Sequence, residues 1–134
     1  MEFVIDTMEE VAAVSGIAKL FYLENGYSSR ASNKIALFVE EICKNIIQHG
    51  FSDRKKNLIY IRLLTSEDGI ILRIRDDCPP FNPVERHKME IENKADPMAN
   101  IGIRLVMGLA SDVRYISTFK TNTLILHVYD KALI

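Results

Sequence analysis

A chain of 134 residues that is 48% hydrophobic and 26% charged has the composition of one ordinary globular domain, with a single core spanning residues 1–134. A formal net charge of −1 with scattered Lys and Arg argues against nucleic-acid and membrane-surface partners, and no apolar run approaches the ~18 residues of a membrane span. Cys43 and Cys78 offer neither a disulfide framework nor metal spacing, and Met1 to Asp6 lacks the basic-then-apolar order of a secretory signal, so a cytoplasmic domain is expected.

Phe3 to Ile5 reads as a short strand, and Thr7 with Glu10 resembles a capping box that opens a helix from Met8 to about Leu23. Asn25-Gly26 ends that helix, and Ser32 or Asn33 is positioned to cap a second one that runs to about His49. In this second helix Ile35, Val39, Ile42 and Ile46 form an apolar stripe, widened by Phe38, Cys43 and Ile47. Glu41 and Asn45 stand four residues apart and project from one face, with Gln48 and His49 just beyond. A carboxylate one turn before an amide places a proton acceptor beside a ligand for a hard cation.

Leu58 to Leu64 reads as a strand, Glu67-Asp68-Gly69 as a hairpin turn, and Ile70, Leu72 and Ile74 as the buried side of a strand that ends at Asp76. The segment from Asp76 to Gly102 holds Pro79, Pro80, Pro83 and Pro97, shows little periodicity and is expected to be irregular. Gly102 is expected to open a third helix, Ile103 to Ala110, whose N–H groups favour anions. Val113 to Thr118 and Thr123 to Val128 close the chain as an antiparallel pair, with His127 structural. This order predicts an α+β two-layer sandwich: a mixed, mostly antiparallel sheet with three helices on one face. On the strand after the second helix, Ile59, Ile61 and Leu63 are expected in the core, and Tyr60, Arg62 and Leu64 on the open face. No P-loop or dinucleotide fingerprint is present, and the three histidines lack metal-ligand spacing.

Three motifs in register resemble the histidine-kinase-like ATPase superfamily, and within it the anti-sigma-factor serine kinases. They are Glu41-x-x-x-Asn45 with His49-Gly50-Phe51, then Asp76-x-Cys78-x-Pro80-Phe81-Asn82-Pro83, then Asn100-Ile101-Gly102-Ile103-x-Leu105-Val106. The resemblance covers about Ser29 to Val128. It implies that Asn45 ligates the Mg²⁺ of Mg-ATP, that Glu41 is the general base, and that Asp76 binds the adenine amino group. Gly102 and the N–H groups after it would hold phosphates. Cys78, Phe81, Asn100, Ile103 and His49 would complete the nucleotide contacts, under a lid at 77–101. The implied activity is transfer of the γ-phosphate of ATP to a serine of a small protein antagonist, and the implied partner is an anti-sigma-antagonist-like or a sigma-factor-like protein. A homodimer formed through the open sheet face is also implied. The competing function is a non-catalytic interaction domain of the same fold. Three residues depart from the pattern: Cys78 and Asn100 replace glycines, and Asn82 replaces Asp. Cys78 is expected to crowd the adenine side, whereas Asn100 suits left-handed backbone.

Overall fold

The computed structural model describes residues 1–93 and 100–131. Strand β1 (Glu2–Ile5) leads into helix α1 (Met8–Glu24), where the capping box forms as expected. Thr7 Oγ1 accepts from Glu10 N at 3.1 Å, and Glu10 Oε1 accepts from Asp6 N at 3.1 Å. Helix α2 (Ser29–Gly50) starts earlier than Ser32 or Asn33 would allow. Its cap is Ser28, whose Oγ accepts from Ala31 N at 3.1 Å. Asp130 favours this cap from the far end of the chain, accepting from the Ser28 N–H at 2.9 Å and from its hydroxyl at 3.1 Å. Ser32 is instead fully buried inside the helix.

Strands β2 (Ile59–Ser66), β3 (Gly69–Asp76), β4 (Asp112–Thr118) and β5 (Thr121–Tyr129) complete a five-stranded sheet in the order β1-β2-β3-β5-β4. All four ladders are antiparallel, so the sheet is not mixed. Ile59, Ile61 and Leu63 are buried as expected, alongside Ile70, Leu72, Ile74, Leu124 and Leu126. They meet Ile35, Phe38, Val39 and Ile42 of α2, and α1 packs on α2. Tyr22 and Tyr27 anchor these helices by donating to Leu64 O at 2.8 Å and Gly69 O at 3.1 Å, which satisfies their hydroxyls under the hairpin.

The segment after Asp76 is not wholly irregular. Helix α3 (Pro83–Glu92) occupies its middle and packs on α4 (Ile101–Leu109) and β4. Asn82 Oδ1 caps α3 by accepting from Val84 N at 3.0 Å and Glu85 N at 3.2 Å, and Pro83 fills the first helical position. Asn and Asp are equally good caps, so Asn82 costs the local structure nothing. Pro97 and the rest of residues 94–99 lie outside the described residues. The helix after them begins at Ile101, two residues before the expected start, which places Gly102 inside its first turn.

Candidate functional site

The floor of the site is built where β3 ends. Asp76 pairs in register with Asn122 of β5, and both side chains are buried. Asp76 Oδ1 accepts from Asn122 Nδ2 at 3.0 Å and from Cys78 N at 2.9 Å. Asn122 Nδ2 also donates to Cys78 O at 2.7 Å, while Asn122 Oδ1 accepts from the Tyr115 hydroxyl at 3.1 Å and from Ser117 Oγ at 2.9 Å. Every donor and acceptor of the Asn122 amide is thereby used, so its role is to orient Asp76. Among the described residues no hydrogen bond reaches Asp76 Oδ2, which leaves that oxygen for a donor in the cleft.

Asn122 is missing from the sequence-derived set, although a signal for it exists. It shares the buried phase of β5 with Leu124, Leu126 and Val128, and a polar residue in an apolar phase needs a partner. Tyr115 extends the network by accepting from Phe81 N at 3.0 Å, which fixes the chain entering α3. Asp77 turns away from the cleft. Its partial burial raises its pKa, but bonds from Asn57 Nδ2 at 3.0 Å and Leu58 N at 3.2 Å outweigh this and hold it below the usual carboxylate range.

Above Asp76 lies a cleft at the end of the sheet. Asn45, His49, Cys78, Phe81 and Ile103 line it together with Asp76. Cys78 meets the end of α2 at Gly50, where an added Cβ would lie 2.8 Å from Cys78 Cβ and 2.9 Å from its sulfur. The side chain thus occupies space that Gly50 leaves vacant, while still lining the cleft. Burial first, then the charges of Asp76 and Asp77, push its thiol up to about 12, so it stays protonated near neutrality.

The cleft opens into a groove between α2 and the start of α4. Glu41, Asn45 and His49 supply one wall at one-turn intervals, and Asn100, Gly102 and Ile103 supply the other. Asn45, His49 and Ile103 line both spaces, so cleft and groove adjoin. A Cβ on Gly102 would overlap Glu41 Oε2, so glycine here is what lets the carboxylate reach the first turn of α4.

Asn100 is left-handed at φ 52°, ψ 42°, the geometry foreseen for it. Its amide donates to Glu90 Oε1 at 2.9 Å rather than capping α4, whose first turn has no side-chain cap among the described residues. Glu90 also meets Arg86 Nε at 3.3 Å and Arg104 Nε at 3.5 Å. The Asn100 amide foremost, with Arg86 and Arg104, holds the Glu90 carboxyl below its usual range. All nine residues singled out in the sequence, from Glu41 to Ile103, therefore border two adjoining spaces.

This arrangement is that of a nucleotide-binding α+β sandwich, and comparison with known proteins agrees. The profile of the histidine kinase-like ATPase domain matches residues 5–128, and the chain belongs to that family. Among solved structures, the histidine kinase domain of the blue-light activated histidine kinase from Erythrobacter litoralis is similar at a TM-score of 0.54 and 17% identity. That alignment covers 87% of this chain and 63% of the other, so this chain spans less than two-thirds of the matched domain's length. No curated protein sequence matches the chain. Among the described residues, no helix is long and apolar enough to cross a membrane.

Proposed function

We propose that this domain binds Mg-ATP across the cleft and groove and transfers the γ-phosphate to a serine of a small protein, as its motifs' resemblance to anti-sigma-factor serine kinases suggests. The observation that carries this is the adjacency of the two spaces, with a buried carboxylate in one and Glu41 against a helix N-terminus in the other. Asp76 Oδ2 suits the exocyclic amine of adenine. The N–H groups of the first turn of α4 suit phosphate oxygens.

Asn45 fits the role of metal ligand. Mg²⁺ prefers hard oxygens and keeps several waters, so one amide oxygen plus the nucleotide's phosphates form a sufficient donor set. The bound ion would neutralise phosphate charge. Glu41 accepts the proton of the incoming serine hydroxyl as its oxygen bonds to the γ-phosphorus and ADP leaves.

Isothermal titration with Mg-ATP, followed by a search for slow ATP hydrolysis, tests this. Binding with turnover supports the kinase. Binding without turnover toward any serine-bearing acceptor favours the non-catalytic interaction domain, and absence of binding removes both the adenine and phosphate assignments.

A further inference from the structure

The sheet face turned away from the helices carries a charge pattern that the nucleotide site does not use. Strand pairing aligns Glu2, Arg62, Arg73, Ile125 and Arg114 in one transverse row across all five strands. Arg75 stands in the adjacent row opposite Tyr60, its Cζ 4.5 Å from the ring centroid. Four of the eight arginines of the chain thus lie on this face, while no lysine occurs in any of the five strands.

Arg62 and Arg73 are directly opposite, an arrangement that costs stability in an antiparallel ladder. Arg62 is partly relieved by Glu2 at 2.8 Å, and Arg114 by Asp112 at 3.1 Å. Arg73 and Arg75 have no acidic partner among the described residues. Arg62 and Arg114 keep 49% and 75% of their side chains exposed. A shallow depression lies among Glu2, Val4, Tyr60, Arg62, Arg73 and Arg75.

We propose that this face docks an acidic segment of a protein partner, whose carboxylates pair with Arg62, Arg73 and Arg75. Guanidinium forks match carboxylates two bonds at a time, which a lysine cannot do. Arginine and tyrosine interleaved with aliphatic side chains, with lysine absent, is the composition of a protein interface core. Nucleic acid fits less well, because the chain as a whole carries a net charge of −1 and no broad basic stripe. A second copy fits poorly too, since a two-fold contact sets the same arginines against one another.

The probe is a fluorescent alternating Glu-Val peptide about ten residues long, titrated by anisotropy against the whole chain. Wild type should bind it more weakly as salt rises. Combined Arg73→Glu and Arg75→Glu should lose about tenfold or more in affinity, as expected for removing two charge-assisted contacts and reversing their sign. Arg73→Lys should fall between, and Mg-ATP affinity should be unchanged throughout. Arg73→Glu should melt at or above wild type, because it places a carboxylate opposite Arg62. Should the double variant fail to fold, Arg73→Gln with Arg75→Gln must show the same loss.

Peptide binding that survives either pair of substitutions overturns the proposal. So does a duplex oligonucleotide or phosphatidylserine vesicle that binds wild type as well as the peptide does. A dimer in sedimentation that the double variant splits would overturn it as well, by assigning the face to a second copy.

Discussion

Asp76 commits one carboxylate oxygen to Cys78 and Asn122 and offers the other to the cleft, so its two oxygens have separate duties. Asp76→Ala should weaken Mg-ATP binding by on the order of 1–3 kcal/mol, the cost of leaving a polar group of the ligand unpaired. Calorimetry checks this, and unchanged affinity would remove the adenine role. Glu41→Gln should keep binding while turnover falls by roughly 10²–10⁴, the usual share of a positioned base. Asn45→Ala should instead lose the magnesium-dependent part of binding. Glu40 serves as the control, because its carboxylate accepts from Ser15 Oγ at 3.0 Å and faces α1 rather than the groove. Glu40→Gln should leave turnover unaltered. Gly102→Ala should leave folding intact or slightly improved, since alanine is the better helix former by about 1 kcal/mol. Its Cβ nevertheless displaces the Glu41 carboxylate, so hydrolysis should drop with little change in melting temperature.

At the scale of elements, the end of α2 and the chain after β3 fit as a pair, with Gly50 and Cys78 in contact. Gly50→Ala should destabilise the domain by roughly 1–3 kcal/mol, as overpacking does. Adding Cys78→Gly should recover most of that loss, a coupling that a double-mutant cycle in thermal melts detects. Glu90 ties α3 to α4 through Asn100 and Arg104. Its carboxyl is depressed in the folded state, so its contribution holds above the ordinary glutamate range and fades as pH falls through the lowered value. Glu90→Gln should loosen Asn100 and raise hydrogen exchange at Arg104, whose N–H donates to Asn100 O at 3.0 Å. Strong periodicity made α2 and the strands legible from sequence, as did the capping box at Thr7. Helix α3 was hidden by its prolines, although Asn82-Pro83 is itself a helix-start signal. Cap choice at Ser28 was not legible, because the deciding partner, Asp130, lies 102 residues away. The Asn122 contact was hidden for the same reason: polarity was visible, but its partner was set by strand order.

Across the whole molecule, the two faces of one sheet differ in chemistry. The covered face, through Asp76 and Asn122, supports the cleft, and the open face carries the arginines. The two are connected through β3 itself, which alternates Arg73 and Arg75 outward with Ile74 and Asp76 inward. Asp76 and Asn122 are separated by 46 residues, and β5 sits between β3 and β4 in space although it follows both in sequence. A chain that has emerged only as far as β3 contains Glu41 and Asn45 but lacks both Asn122, which orients Asp76, and Asp130, which supports the cap of α2. Nucleotide competence therefore arrives late, when the fifth strand inserts. A chain truncated before residue 121 lacks Asn122 and the strand that joins β3 to β4, and calorimetry should show no Mg-ATP binding by it.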